Sequence, residues 1–215
     1  MYKWFFKRFC DIVVSLIGIV IFALPMLVIS MVIKIQSPGP AVFKQLRSGL
    51  HRKPFMMLKF RSMRVDCPHD LPTRELDSEK YITPVGRFLR KTSLDELPQL
   101  FNILLGRMSF VGPRPVVLAE QDLIDERDKY GANSVKPGLT GWAQINGRDT
   151  LDYVTKAKLD GEYVQRMSFF FDMKCFLATF GMVFKGTDVV EGTAHRAEDY
   201  DNSAAEGESK EAQVK

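Results

Sequence analysis

From Ile12 to Ile33 the chain reads IVVSLIGIVIFALPMLVISMVI, without one charged side chain. A helix rises about 1.5 Å per residue, so about 22 apolar residues match the hydrocarbon core of a bilayer. The run is too long for a cleaved signal peptide, and no small-residue cleavage site follows it. Residues 1–36 are therefore expected to insert in a membrane rather than form the core helix of a soluble domain. Pro25 lies inside the run, where its missing amide frees the carbonyl of Ile21. An interior proline costs a soluble helix about 3 kcal/mol, so a bend is expected there. Lys3, Lys7 and Arg8 precede the run, and Lys34, Lys44, Arg47, Arg52 and Lys53 follow it. A single crossing usually gathers Lys and Arg on one side. Positive charge at both ends suits a re-entrant helix that dips in, bends at Pro25 and returns. An ordinary kinked transmembrane helix stays open as the alternative.

The remaining chain is long enough for one domain, 37–185, with a core of its own. The net charge of +4 is uneven: eight acids against three bases from Gly186 onward leave +9 on residues 1–185. A basic body suits phosphorylated substrates or acidic lipid headgroups. Nucleic acid is set aside, since no recognition motif accompanies the charge. Cys10, Cys67 and Cys175 have no metal-ligand spacing and read as reduced, inert thiols. The tail, 186–215, is polar and acidic and is expected to be disordered.

The patterning predicts an α+β domain, mainly helical. After the turn cluster QSPGP, two short apolar runs around a Gly-His-Pro turn form a β-hairpin. Residues 65–81 read as a loop. VGRFLRK and ELPQLFNILLG read as helices, FVGPRPV as a rigid turn, and LAEQDLIDERDKYG as a solvated helix closed by Gly131. KPGLTGWAQINGRD reads as an ordered loop or short strand. Leu151 to Lys185 is expected to hold one or two helices. The last, FFFDMKCFLATFGMVFK, suits core and membrane interface equally, and so does Trp142. This region offers a face for a homodimer, though nothing in the sequence demands one.

Asp95 and Glu96 stand together in TSLDELPQLFN. Ser93, three residues ahead of Glu96, fits a capping box, which would make the acids mere caps. Pro98 instead favours a helix that begins near Asp95, because a proline is tolerated in the first turn. Negative charge, or bound phosphate, is favoured at such a terminus. Five cations are candidate phosphate ligands. Lys59 and Arg61 alternate in LKFRSM, so both should face one side of a strand. Arg90 precedes the acids, Arg114 is held between prolines in GPRP, and Arg148 follows the turn signal NG. Each alone reads as a solvated charge; stiff turns make them suited to bidentate phosphate contacts.

The series KFRSM, FLRKTSLDELPQLFNILLGRMSFVGPRP and KPGLTGWAQINGR closely resembles the bacterial sugar transferases, the monotopic phosphoglycosyl transferases, from near Lys7 to about Lys185. The resemblance implies transfer of sugar-1-phosphate from a UDP-sugar to undecaprenyl phosphate, with release of UMP, at the cytoplasmic face of the bacterial cell membrane. Galactose, glucose and N-acetylated or diamino sugars all fit. This would be the first lipid-linked step of exopolysaccharide, capsule or glycoprotein glycan assembly, with downstream glycosyltransferases as partners. It implies that Asp95 is the nucleophile in a ping-pong reaction, that Asp95 and Glu96 serve a required Mg²⁺, and that the membrane helix is re-entrant, broken at Pro25 and flanked by interfacial helices. Relatives commonly have a serine before that proline, where this chain has Leu24. Ser15, Ser30 or water would then have to satisfy the Ile21 carbonyl. Two rivals are a membrane-attached binding or regulatory module and a glycosyltransferase that releases UDP.

Overall fold

One buried stripe runs along the apolar segment and sets how the rest of the chain packs. The computed structural model describes residues 2–67, 80–147 and 151–185. A π-helical turn, Tyr2–Phe6, leads into α1, Lys7–Gln36, a single 30-residue helix that contains Pro25. Among the described residues it is the one helix long and apolar enough to cross a membrane. Lys7, Asp11, Ser15, Met26 and Ile33 are buried on one side, whereas Val20, Ile21 and Leu24 are more than 60% exposed. Gly18 lets α1 approach its neighbour, since a Cβ there would lie 3.2 Å from a Leu100 methyl. Ser15 Oγ donates to Ile12 O and Ser30 Oγ to Met26 O. Of the three expected partners for Ile21 O, neither hydroxyl serves, because each is committed to a carbonyl of its own preceding turn.

Both ends of α1 are fastened to one body. At its start Lys7 Nζ donates to Asp172 at 2.6 Å, Arg8 donates to Ile103 O and Leu104 O, and Asp11 accepts from Ser109 Oγ and Phe110 N. At its end Met26 and Ile33 share a core cluster with Ala41, Phe60 and Leu89.

The expected hairpin is β1, Val42–Ser48, paired antiparallel with β2, Pro54–Phe60, in the register Val42↔Phe60 to Ser48↔Pro54. Helix α2, Pro84–Lys91, begins at Thr83, whose hydroxyl accepts from Gly86 N at 2.9 Å, with Pro84 in the first turn. A 3-10 turn, Leu94–Glu96, and helix α3, Gln99–Leu104, follow. The expected rigid turn FVGPRPV begins instead as strand β3, Ser109–Val111, which pairs in parallel with β4, Gly138–Thr140. Their crossover contains α4, Gln121–Lys129, after which Gly131 turns the chain at φ +69°. Helices α5, Trp142–Ile145, α6, Tyr153–Arg166, and α7, Phe169–Lys185, complete the body.

Helix α7 is divided between core and exposure. Phe171 and Cys175 are buried, while Phe170 is 83% and Leu177 60% exposed. Trp142 packs on Phe171 at 5.0 Å between centroids and donates its indole N–H to Glu162, so it is an anchored edge of the core. Most of the expected 65–81 loop, Arg148 and the acidic tail lie outside the described residues.

Candidate active site

Asp95 and Glu96 occupy the 3-10 turn ahead of α3, and Pro98 stands at the α3 cap position. The expected capping box is not formed. Ser93 adopts φ +54°, ψ 17°, and makes no side-chain cap bond. Its left-handed backbone turns the chain sharply out of α2, which leaves its hydroxyl unable to act as a cap. Asp95 is 4% exposed. The acids therefore sit at a helical entrance with no capping duty for the serine ahead of them.

Asn102 fixes this segment on the hairpin: Nδ2 donates to Met56 O at 2.8 Å, and Oδ1 accepts from Leu58 N at 2.9 Å. That clamp puts Lys59, the next residue of β2, beside the turn, where Nζ donates to Glu96 Oε1 at 3.1 Å. Arg114, from the loop after β3, donates to the same oxygen at 3.0 Å. Its loop is secured on both flanks. Arg47 bonds Pro115 O and Ser48 N bonds Val116 O on one flank; Gly138 N bonds Pro113 O and Gly112 N bonds Thr140 O on the other. The three side chains are only 13–14% exposed, so their charges act with less screening than at an open surface. Two cations converge on one carboxylate next to a second, buried carboxylate. Such a site can hold phosphate oxygens while an acid works beside them.

The other expected ligands are placed differently. Arg61 does not join Lys59: it is buried, and its guanidinium donates to Pro38 O and Ser37 O at 2.6 and 2.7 Å. Strand β2 ends at Phe60, so the alternation that would have set Lys59 and Arg61 on one side stops between them. Arg90 lies half-buried on the last turn of α2, near Cys67, whose thiol burial pushes up while Arg90 pulls it back. Arg148 is outside the described residues.

Sequence reasoning missed three contributors. Asn102 reads as an ordinary polar residue in an apolar helix; its position at the hairpin has no local signature. Arg47 was counted only as a flanking charge. Gln99 is 1% exposed, and its Nε2 has no hydrogen-bond partner among the described residues. A polar side chain one helical turn after Asp95, in a run that is apolar apart from Asn102, was the available signal. Among the described residues no three His, Cys, Asp or Glu side chains gather as a metal cluster. Beside α2, an apolar groove of about 420 Å³ runs between Val28, Ile29 and Val32 of α1 and Val85, Phe88 and Leu89.

Residues 2–186 match the family described as bacterial sugar transferase. The UDP-glucose:undecaprenyl-phosphate glucose-1-phosphate transferase of Escherichia coli (strain K12) is 41% identical over 187 residues, 84% of this chain and 40% of that protein. The uncharacterized sugar transferase EpsL of Bacillus subtilis (strain 168) is 40% identical over 173 residues, 80% of this chain and 84% of EpsL. The undecaprenyl-phosphate galactose phosphotransferase of Salmonella typhimurium (strain LT2) is 40% identical over 197 residues, 84% of this chain and 41% of its own length. The chain thus spans about two fifths of the glucose and galactose relatives and most of EpsL.

Proposed function

Because the chain belongs to the bacterial sugar transferase family, we propose that it transfers a hexose-1-phosphate from a UDP-sugar to undecaprenyl phosphate and releases UMP. The observation that carries this reading is the buried Asp95 beside Glu96, whose Oε1 is held by Lys59 and Arg114. The names of the relatives favour glucose or galactose as the sugar.

An Asp95 carboxylate oxygen attacks the phosphorus that bears the sugar. The bond from that phosphorus to the UMP oxygen breaks, and UMP departs with the electron pair. A phosphate oxygen of the lipid then attacks the same phosphorus and displaces Asp95, which regains its carboxylate. Lys59 and Arg114 lower the repulsion between the anionic nucleophile and the diphosphate, and Glu96 keeps both cations at that point. Asp95 and Glu96 are the donors that would hold Mg²⁺, an ion that commonly takes one or two carboxylates and completes its shell with phosphate and water. When bound it would neutralise phosphate charge.

The membrane reading extends from the same residues. Residues 1–36 insert as a re-entrant element bent at Pro25, and 37–185 work at the cytoplasmic face. A helix of 30 residues is about 45 Å long. Fastening of both its ends to one body supports entry and return on a single side. The groove along α2 would admit the prenyl chain from the lipid phase towards the acids.

The test is a UMP-release assay with UDP-glucose and UDP-galactose, undecaprenyl phosphate and Mg²⁺. UMP is expected from the native protein, and Asp95→Asn should abolish it. UDP as the product would point to the rival glycosyltransferase, and no nucleotide from any UDP-sugar would point to a binding module.

A further inference from the structure

The Gln99 side chain is almost entirely buried, yet its Nε2 makes no hydrogen bond among the described residues. A desolvated, unpaired amide is destabilising, so one retained in a folded chain calls for an explanation. Its position indicates the task. Leu97 and Pro98 continue the helical backbone between the 3-10 turn and α3, so Gln99 lies one turn beyond Asp95. Side chains on a helix lean towards its N-terminus, which directs the amide back towards the turn that carries the acids. The turn and α3 both pack on β2, and Asn102, three residues further on, locks this segment to Met56 and Leu58. The amide is thus held in a fixed place with its donor unspent.

We propose that Gln99 is a further catalytic residue, whose Nε2–H donates to a non-bridging oxygen of the sugar-bearing phosphate as it meets Asp95. This rests on the transferase reading above. The amide moves no proton. It supplies a neutral donor aimed at oxygens whose charge is redistributed during transfer, complementing the cations Lys59 and Arg114.

The experiment measures steady-state UMP release by the full chain in detergent, with Gln99→Met and Gln99→Glu beside wild type. Gln99→Met keeps the shape and removes the donor. It should lower kcat about 10- to 100-fold with KM for the UDP-sugar changed less than about threefold and the melting temperature retained. Gln99→Glu adds negative charge facing the phosphate and should fall at least as far. If Gln99→Met does not fold, Gln99→Glu decides alone. Turnover at the wild-type kcat in the deciding variant overturns the proposal, and so does a loss confined to KM or to melting. Absence of UMP from wild type would instead overturn the transferase reading, so the two failures are distinct.

Discussion

Lys59 Nζ and Arg114 NH2 meet at one oxygen, Glu96 Oε1, at nearly equal distances of 3.1 and 3.0 Å. Neither cation is a sequence neighbour of the acid. Because both act through one oxygen, their removal should not be additive. Lys59→Met and Arg114→Gln are each expected to lower UMP release on the order of 10- to 100-fold, and the double variant should fall short of the product of the two. A double-mutant cycle on initial rates reads this out; strict multiplicativity would show that the cations act apart.

Asn102 is fully buried and satisfies two backbone groups of β2. Asn102→Ala would strand both, at about 1–3 kcal/mol each. We expect stability in denaturant titrations to fall by about 2–6 kcal/mol, with UMP release reduced further still at temperatures where the variant remains folded. Loss of stability without this additional loss of rate would separate the clamp from the placement of Lys59.

Arg127 donates through Nε and NH2 to Asp160 Oδ2, joining α4 to α6 with both side chains under 5% exposed. Burial pushes the Asp160 carboxyl up and the guanidinium pulls it down. Arg127→Met alone should cost about 3–5 kcal/mol, because it leaves an unpaired buried carboxyl; Arg127→Met with Asp160→Leu should recover most of that. Equilibrium unfolding of the two variants tests the pair.

Asp152 caps α6 by accepting from Thr155 N at 2.9 Å, and hydrogen bonds from the Thr155 side chain and then its amide hold the Asp152 carboxyl below the ordinary carboxylate range. With the folded value depressed, the contribution is present above the unfolded value near about 4 and is lost as pH falls through the folded one. Asp152→Ala should therefore cost about 1 kcal/mol at neutral pH. Wild type and variant should converge in urea titrations once the pH lies below the depressed folded value, and a gap that persists there would refute the cap's ionic character.

For the re-entrant proposal, single cysteines replacing Lys3 and Lys34 in a cysteine-free background should both react with an impermeant maleimide from the cytoplasmic side. Labelling from opposite sides would establish a crossing helix.

The features legible in the sequence were those written in local pattern: the apolar run, the hairpin, the VGRFLRK helix, Gly131 and the acid pair. What stayed hidden depends on contacts distant along the chain. Strands β3 and β4 have three residues each, too few for a period, and they become strands only through one another. Arg61 matched the spacing of Lys59, but strand alternation says nothing once the strand ends. Ser93 matched a capping box by composition, and its left-handed backbone removed the geometry the motif requires. Lys7 and Ser15 were read apart, one as flanking charge and the other as a partner for the Ile21 carbonyl; with Asp11, at spacings of four residues, they form one polar stripe.

That stripe bears on how the molecule can be handled. Asp172 accepts from Lys7 and from Tyr2, while Ser109 and Phe110 N lean on Asp11. Trimming the first 36 residues to obtain a water-soluble fragment would strip these partners and uncover Phe60 and Leu89. The greasy leader is a wall of the catalytic house rather than a tether to it. Any attempt to crystallise the domain alone should begin with that wall in place.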